Sequence, residues 1–410
     1  MYVKSRHKKS LFFLLILLSI SLSGCFQWAA RAKNKLPNQT ALNQTYSYKG
    51  KVLIIGAGAA GLAAAKVLEQ NNIDYVILEA SNCFGGRLKK DSTLADFPID
   101  MGAEWIHSHP NALNVLKGKK ATAKIHEELI PYHLDSALKW DNKRLKGVKK
   151  SYLDFYYNFI SESKFKRSTW YDFVKVNLAQ NVDHKIIYNT NVQEINYEED
   201  QVIVKTESGT VYNADRVLVT VSIGVLKSNH ISFIPKINRK KQKAVDAITF
   251  RKGFKVALKF SKKFYPDVIQ CKAKNGERTF YDIAFKKEAK THVLGFLCVG
   301  SEVSRYSALP TEKDVIVELI RELDNMFNGQ ASRYYTGEYA YENWGENQFI
   351  QGTWTQAFQE KRRHLKQLNK SLEQRVYFAG EINDPYKQMG VPGAILSGYS
   401  AIHQLLTDKN

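Results

Sequence analysis

The chain has 410 residues, of which 44% are hydrophobic and 24% charged, and its formal net charge at pH 7 is +20. This length allows two substantial hydrophobic cores, which excludes a single small domain and predicts two or three domains. Much of the positive charge lies in the runs Lys117–Lys120, Lys143–Lys150 and Lys164–Arg167. These runs predict a solvated basic face, with attraction to anionic lipid or lipopolysaccharide as the alternative interpretation.

The first 25 residues have the three-part layout of an export signal. Four basic residues between Lys4 and Lys9 precede an apolar run from Leu11 to Ile20, and Leu22-Ser-Gly-Cys25 follows. The apolar run is too short to span a bilayer comfortably, since a spanning helix takes about 20 residues. The four residues Leu22-Ser-Gly-Cys25 resemble a bacterial lipobox. Residues 1–24 are therefore interpreted as a lipoprotein signal peptide and Cys25 as the lipidated residue, with an uncleaved apolar anchor as the alternative.

Residues 25–49 predict a flexible, lipidated tether, because they contain Pro37 and several Asn, Gln and Thr residues. Phe26, and not Asp, follows Cys25, so the signal that retains lipoproteins at the inner membrane is absent. The expected protein is an exported bacterial lipoprotein, anchored in the periplasm at the outer rather than the inner membrane. Nucleic acid is not an expected partner there, and the sequence leaves the oligomeric state open.

A dinucleotide-binding pattern begins after the tether. The run Val52–Ile55 predicts a strand buried in a parallel sheet, and helical spacing follows from Leu62. Between them, Gly56 suits a tight turn, Gly58 lets the backbone approach a pyrophosphate, and Gly61 lets the helix pack closely on the strand. The N-terminal amides of the helix would then face the phosphates.

A second strand and an acidic residue complete this pattern. Tyr75–Leu78 predicts the strand, and Glu79 follows it. An acid about 20 residues beyond the glycines can accept hydrogen bonds from the adenosine ribose hydroxyls. The pattern fits NAD and FAD equally, because both cofactors contain the same ADP half.

Residues farther along the chain favour FAD. Gly85-Gly86-Arg87 can bring a cationic fork to a phosphate or a flavin edge, although a glycine turn before a solvated arginine is the alternative. Near the C-terminus, Arg375–Glu381 predicts a short strand that ends in Gly-Glu, and Met389–Gly398 opens a final helix. An FAD is long enough to need a second helix N-terminus at its far end, which this helix can supply.

Three segments together resemble the flavin-containing amine oxidase family. They are Gly56–His107, Val217–Lys227 and Phe378–Gly398. Within the family, Gly102-Ala-Glu-Trp-Ile-His107 is most similar to the polyamine oxidases. The resemblance implies a non-covalently bound FAD, because no cysteine like that of the monoamine oxidases appears near the C-terminal flavin segments, and no metal site is expected.

The resemblance also implies which residues contact the cofactor, with Val192 holding the adenine through its backbone. The expected FAD-binding residues are Gly56, Gly58, Ala59, Gly61, Glu79, Gly86, Arg87, Gly102, Ala103, Glu104, Trp105, Val192, Gly380, Glu381 and Val391.

The chemistry that the resemblance implies is hydride transfer from the carbon beside an amine nitrogen to flavin N5. The imine would hydrolyse to an aldehyde and a shorter amine, and O2 would reoxidise the flavin with release of hydrogen peroxide. The expected partners are therefore a small-molecule amine, namely a polyamine or a related secondary amine, and O2.

Three residues are candidates for this work, each with a structural alternative. Lys255 matches the family lysine that holds a water against flavin N5, and its alternative is a strand lysine that faces solvent. His107 matches the channel histidine of polyamine oxidases, which can hydrogen-bond a substrate nitrogen, and its alternative is a structural histidine. Trp354 stands where many members carry an aromatic residue that faces the flavin, and its alternative is core packing.

The predicted fold class is α/β, with a doubly wound, Rossmann-like FAD-binding domain interleaved with an α+β substrate domain built on a mixed or antiparallel sheet. Residues 50–108, 183–227 and 370–406 are assigned to the FAD-binding domain. Residues 109–182 and 228–369 are assigned to the substrate domain, with a helix over Tyr152–Ser163 and a strand over Lys255–Phe260. A disulfide between Cys271 and Cys298 is left open, because export favours it but spacing cannot establish its geometry.

Two departures from the family pattern leave other functions open. The first insertion, of about 75 residues, is shorter than usual in the family, and Gly390 replaces the usual Thr or Ser. The alternatives are a different FAD-dependent oxidoreductase that acts on a small hydrophobic substrate, and a non-catalytic FAD-binding envelope lipoprotein.

Overall fold

The computed structural model describes residues 41–107, 112–117, 128–158, 162–355, 362–384 and 390–408. The expected signal peptide, Cys25 and most of the expected tether lie outside these residues.

The strands of the described residues are numbered in chain order. They are β1 (Val52–Ile55), β2 (Tyr75–Leu78), β3 (Lys90–Asp91), β4 (Ile99–Asp100), β5 (Leu129–Pro131), β6 (Ala137–Trp140), β7 (Leu145–Gly147), β8 (Ser163–Phe165), β9 (Ile186–Ile187), β10 (Val192–Asn196), β11 (Val202–Thr206), β12 (Val211–Ala214), β13 (Arg216–Val219), β14 (Ser232–Ile234), β15 (Gly253–Phe260), β16 (Val268–Cys271), β17 (Gly276–Asp282), β18 (His292–Gly300), β19 (Tyr335–Asn343) and β20 (Val376–Phe378).

The α-helices of the same residues are numbered likewise. They are α1 (Ala59–Gln70), α2 (Ala112–Lys117), α3 (Lys150–Tyr157), α4 (Trp170–Val174), α5 (Ile223–Lys227), α6 (Arg239–Ala247), α7 (Val303–Ser307), α8 (Glu312–Phe327), α9 (Gln330–Tyr334), α10 (Arg362–Leu368) and α11 (Gly390–Thr407).

Five strands form a parallel sheet in the order β20-β13-β1-β2-β9. All four residues of β1 and of β13 are buried, as expected for parallel strands covered on both faces. Helices α1 and α11 pack against each other and share one core with strands of this sheet. The predicted α/β, Rossmann-like fold class is confirmed, and the strands predicted at residues 52–55 and 75–78 have these bounds.

A smaller sheet has the strand order β12-β11-β10-β14. Strand β14 pairs in parallel with β10, so that Phe233 lies opposite Ile195. The sheet continues past the predicted domain boundary at residue 227, because Ile231 and Phe233 belong to the same hydrophobic core as Ile195 and Val204.

The largest sheet has seven strands in the order β19-β15-β18-β17-β16-β6-β7. Strands β16 and β6 pair in parallel and the other neighbours are antiparallel, so the sheet is mixed, as the predicted fold class allows. Helix α8 covers it, with Leu319 and Leu323 in one core with Phe296. The expected first insertion contributes β6 and β7, and the expected second insertion contributes β15 to β19.

The helix expected over Tyr152–Ser163 is shorter than predicted. Helix α3 ends at Tyr157, and Ser163 begins strand β8. Ser163 and Ile106 exchange two backbone hydrogen bonds, of 2.8 and 3.0 Å. This pairing explains the extended backbone, and it attaches β8 to the segment that follows Gly102.

Cys271 and Cys298 are both free and buried. They lie on β16 and β18, which are separated by β17. Two strand spacings of about 4.8 Å place their backbones about 9.6 Å apart, which exceeds the roughly 7 Å limit for a disulfide. The disulfide that the sequence left open is therefore excluded.

No helix among the described residues combines the length and apolar composition of a membrane span. In the same part of the chain, no group of three or more His, Cys, Asp or Glu side chains is arranged to hold a metal ion.

Candidate functional site

The turn between β1 and α1 leaves an open helix N-terminus. Gly56 has a φ of +103° and donates to the carbonyl oxygen of Leu78 at 2.8 Å. Gly58 begins the helix without a side-chain cap, and a Cβ there would meet no atom within 4 Å. A Cβ at Gly61 would lie 2.0 Å from the carbonyl oxygen of Gly56. The turn is thus closed on its packed side and open on the side of the helix amides, which is the geometry of an anion site.

Glu79 ties this turn to the end of β2. Its Oε2 accepts from the Ala57 amide at 2.7 Å, and its Oε1 accepts from the amide and hydroxyl of Ser81 at 2.9 and 2.6 Å. Each carboxylate oxygen has two lone pairs, so Glu79 can accept a further hydrogen bond. Its expected contact with a ribose hydroxyl stays a prediction.

Arg87 connects segments that are far apart in the sequence. Its Nη1 lies 2.6 Å from Glu381 Oε2 and also donates to the carbonyl oxygen of Thr353. Glu381 Oε1 accepts from the Thr355 amide at 3.0 Å. The alternative of a freely solvated arginine is therefore wrong, and the motifs at residues 86–87, 353–355 and 380–381 meet.

Other expected cofactor residues lie around the carboxyl edge of the parallel sheet. Gly380 follows β20, and its amide donates to Ser397 Oγ of α11 at 2.9 Å. Val391 is buried in the first turn of α11, and Ala59 is the first residue of α1. Val192 opens β10, where the ladder with β11 shifts register before Glu194. Ligands of open α/β sheets bind at this edge.

The segment that begins at Gly102 packs on the backbone of Arg87. A Cβ at Gly102 would lie 1.8 Å from the carbonyl oxygen of Arg87, and the Ala103 amide donates to the same oxygen at 3.3 Å. The indole of Trp344 fixes the segment through a 2.9 Å hydrogen bond to the carbonyl oxygen of Met101. Any side chain at position 102 would collide with the backbone of Arg87, so only glycine fits there.

Glu104 lies at the centre of a buried ion cluster. Its Oε2 accepts from Lys255 Nζ at 2.6 Å and from the Tyr281 hydroxyl at 2.7 Å, and its Oε1 forms a salt bridge with Lys164. The side chains of Glu104, Lys164 and Lys255 are only 3%, 3% and 2% exposed. We call Glu104, Lys164, Lys255 and Tyr281 the ion cluster.

Lys255 has no contact with bulk solvent, so the alternative of a solvent-facing strand lysine is wrong. Besides Glu104, its ammonium donates to the carbonyl oxygens of Asp100 and, at 3.4 Å, Gly102. These contacts use all three of its donors. A water held by Lys255 would therefore take the place of the long bond to Gly102, and the expected role of Lys255 stays a prediction.

Lys164 occupies a box of aromatic rings. Its Nζ lies 5.6, 5.4 and 5.3 Å from the ring centroids of Trp105, Tyr132 and Tyr281, which is within range for cation–π attraction. The prediction that the run Lys164–Arg167 forms a solvated face is therefore wrong for Lys164.

The cluster shifts the pKa values of its neighbours. Burial, reinforced by the charge on Glu104, raises the pKa of Asp100 well above its usual range. Burial acts in the same direction on Glu104, but the charges of Lys164 and Lys255 outweigh it and lower the pKa of Glu104 to about 2. Burial, assisted by the charge on Lys164, lowers the pKa of Lys287 to about 8. The ammonium of Lys287 therefore loses its proton more readily than that of a lysine in water.

Glu104 should make the stability of the fold depend on pH in the acid range. Because its folded pKa of about 2 lies below the ordinary 4.5, its contribution is complete above about pH 4.5 and is lost as the pH falls towards 2. The free energies of unfolding of the wild type and of Glu104→Gln, measured in urea from pH 7 to pH 2.5, should therefore differ least at the lowest pH. A difference that is constant over this range would contradict the assignment.

The two substrate candidates lie in different surroundings. His107 is 42% exposed, and its Nδ1 lies 3.0 Å from Glu162 Oε1. Trp354 is half-buried between Thr353 and Thr355, which contact Arg87 and Glu381 respectively. His107 thus lies in the same segment as Glu104 of the ion cluster. Trp354 instead lies beside the residues that contact Arg87 and Glu381.

Sequence reasoning missed Lys164 and Tyr281, because no motif surrounds either residue. One signal was present around β8, where Glu162 and Lys164 alternate along the chain: Lys164 is the cation that pairs with Glu104, and Glu162 is the hydrogen-bond partner of His107. That match depends on the pairing of Ser163 with Ile106, which joins distant parts of the chain and has no local signature.

Comparisons with known proteins agree with this geometry. A family model described as flavin containing amine oxidoreductase matches residues 59–145 and 163–406. Among curated proteins, polyamine oxidase 1 of Zea mays is 25% identical over 453 residues, covering 87% of this chain and 90% of that protein. Lysine-specific histone demethylase 2 of Homo sapiens is 25% identical over 448 residues, covering 88% of this chain, which spans only 54% of that protein.

A solved structure of putrescine oxidase bound to putrescine superposes with a TM-score of 0.69 at 13% identity, covering 88% of this chain and 100% of that one. At this identity the superposition shows a shared fold.

Proposed function

The chain belongs to the flavin-containing amine oxidoreductase family, whose cofactor is FAD, and we propose that it oxidises a polyamine or a related secondary amine. The observation that carries the proposal is the junction of Lys255 with the Gly102–Glu104 segment, which itself packs on Arg87. This junction brings a buried ammonium donor, a carboxylate and the expected flavin-binding segments together.

The residues present fit FAD. The uncapped start of α1 and the open space over Gly58 would hold the pyrophosphate, Glu79 the ribose, and Val192 the adenine. Segment 102–105, Gly86–Arg87, Gly380–Glu381 and Val391 would hold the flavin half without a covalent bond. Gly390 has a φ of +56°, and a Cβ there would meet no atom of the described residues within 4 Å, as at Gly58.

The Gly58 cradle predicts a specific loss of cofactor binding. A methyl group at Gly58 fits the empty turn but occupies the place of the pyrophosphate, so Gly58→Ala should fold normally and bind FAD at least about tenfold more weakly. Titration of apoprotein with FAD, followed by flavin fluorescence, measures this change.

Gly147→Ala is the matched control, because a Cβ at Gly147 also meets no atom within 4 Å and this glycine lies on β7, outside the expected cofactor residues. Equal FAD affinities for the two variants would remove Gly58 from the cofactor site.

FAD, when bound, would supply the acceptor for the hydride that leaves the carbon beside the amine nitrogen, with O2 as the final electron acceptor and hydrogen peroxide as its product. The imine released into water hydrolyses to an aldehyde and a shorter amine.

The side chains of this protein would prepare the substrate for that step. Burial lowers the pKa of Lys287 to about 8, and the nearby charge of Lys164 adds to this effect. A substrate amine that loses its contact with water beside these residues would likewise favour its neutral form. His107, oriented by Glu162, would accept or donate a hydrogen bond at a substrate nitrogen, and Lys255 would hold a water against the flavin.

Anaerobic reduction tests the proposed function. FAD-loaded protein is mixed with spermine, spermidine, acetylated polyamines or monoamines, and the flavin absorption band is followed. Bleaching by a polyamine, followed by one hydrogen peroxide per turnover in air, is the expected result. Bleaching by monoamines alone would correct the substrate class. Bound flavin that no amine bleaches would favour the alternatives of another oxidoreductase or a non-catalytic FAD-binding protein.

We also propose that the chain is an exported lipoprotein, anchored by lipid on Cys25 and tethered by residues 25–49. The support is the sequence of residues 4–25 alone, since these residues lie outside the described structure. Cys25→Ser should abolish labelling of the protein by a radioactive fatty acid and release the mature domain from the membrane fraction. Labelling that survives this substitution would refute the anchor.

A further inference from the structure

A groove of ≈ 900 Å³ lies between α5, β14, α6 and α10, and none of the residues assigned to catalysis or cofactor binding lines it. We call it the basic groove. Its volume falls in the range of about 300–1,000 Å³ that is typical of small-molecule sites.

The floor of the basic groove is mostly apolar, and the buried ammonium of Lys241 lies 3.8 Å from the ring centroid of Phe378 in it. Phe233, Phe378 and Ile382 are buried in it, and Leu226 and Ile237 are half-buried along its sides. An alkyl chain that covered these side chains would remove apolar surface from water, which is favourable in proportion to the area covered.

The rim of the basic groove is cationic. Lys236, Arg239 and Lys243 line it, and Lys240 and Lys370 line an adjoining depression that shares Arg239. All five are exposed, and no carboxylate in the described part of the chain forms a salt bridge with any of them. The acidic lining residue Asp246 already accepts a 2.8 Å hydrogen bond from Gln242.

The fold does not require these cations. Helix α6 has no acidic residue in its first turn, where positive charge is disfavoured by the helix dipole. Lys241 is the exception, because its buried ammonium donates to the carbonyl oxygens of Gln367, Leu368 and Lys370 at 3.2, 2.7 and 2.7 Å. One basic residue of α6 thus holds the end of α10, whereas the side chains of Arg239, Lys240 and Lys243 form no hydrogen bond or salt bridge within the described part of the chain.

We propose that the basic groove binds one free amphipathic anion, an alkyl chain that carries a carboxylate or phosphate group. The chain would lie on the floor and the anionic group among Lys236, Arg239 and Lys243. A free amphiphile fits better than a bilayer surface, because the apolar side chains form a concave floor and cannot insert into a membrane. The proposal is independent of the amine substrate.

Calorimetric titration of the full-length, FAD-loaded protein with dodecanoate, kept below its micelle concentration, tests this site. The expected result is saturable binding of one dodecanoate per chain, with acetate and the uncharged dodecyl maltoside each at least about tenfold weaker. Equal binding of acetate would reduce the groove to a nonspecific ionic surface, and equal binding of the maltoside would remove the role of the cations. Binding to anionic phospholipid vesicles without binding of dodecanoate would show a membrane surface instead. Each of these three outcomes overturns the proposal.

Two triple variants locate the site. Lys236→Glu/Arg239→Glu/Lys243→Glu reverses the exposed rim and should weaken dodecanoate binding at least about tenfold. Lys143→Glu/Arg144→Glu/Lys149→Glu makes the same change in net charge at residues elsewhere on the surface and should change it less than about twofold. Equal losses in both triple variants would assign the effect to net charge and overturn the proposed site.

A single variant tests the apolar part of the groove. Ile237→Asp places a negative charge among the apolar side chains and should also abolish binding, while FAD content and thermal unfolding stay as in the wild type.

Discussion

Replacement of Lys255 by methionine should lower the rate of flavin reduction by amine, the rate of reoxidation by O2, or both, by about 100-fold or more. Methionine keeps the unbranched, apolar part of the side chain and removes the charge and all three hydrogen-bond donors. The loss is expected because Lys255 Nζ is the buried donor that contacts both Glu104 and the Gly102 carbonyl of the expected flavin-binding segment. Stopped-flow absorbance of the FAD-loaded protein, first without and then with O2, separates the two half-reactions.

Lys259→Met is the matched control for this experiment. Lys259 lies on the same strand, and its ammonium pairs with the exposed Glu338 at 2.8 Å. It should retain wild-type rates. If Lys255→Met binds FAD normally and also retains both rates, Lys255 has no part in the mechanism and the proposed assignment fails.

Replacement of Glu104 by alanine should destabilise the fold by about 3–5 kcal/mol, the cost of removing one partner from a buried ion pair. The carboxylate is the shared partner of Lys164 and Lys255, whose side chains are 3% and 2% exposed, so its removal leaves two buried ammonium groups without an anion. Urea denaturation at pH 7, followed by tryptophan fluorescence, measures the change in the free energy of unfolding.

Two further variants separate buried charge from lost packing. Lys164→Met in the Glu104→Ala background removes one of the two unpaired charges and should recover part of the lost stability. Asp154→Ala breaks the exposed pair with Lys150 and should leave the unfolding curve unchanged. No recovery in the double variant would mean that packing, and not unpaired charge, accounts for the loss.

The ion cluster also explains how a short first insertion can serve this site. Glu162, just before strand β8 of that insertion, pairs with His107, and Lys164 of β8 pairs with Glu104. The backbone of β8 pairs with Ile106. The residues that approach the expected substrate side therefore come from a strand of only three residues and the residue before it.

Much of the dinucleotide-binding half was predictable from local sequence. Continuous apolar runs specify buried parallel strands, and glycine spacing specifies a tight turn into a helix, so β1, α1 and β2 could be placed from the sequence. Gly61 illustrates the reason, because a Cβ there would collide with the carbonyl oxygen of Gly56, only five residues earlier in the chain. Such constraints act between near neighbours and leave a readable pattern.

Local sequence patterns were enough to identify the family, the cofactor and the strand–turn–helix that would hold it. The surroundings of Lys255 depend instead on long-range contacts: Glu104 lies on one side, β8 and β17 bring in Lys164 and Tyr281, and solvent is excluded. The same holds for the separation of Cys271 from Cys298 and for the basic groove beside α6. These features depend on strand order and on contacts between residues far apart in the chain, and residue spacing carries no information about which distant strands become neighbours.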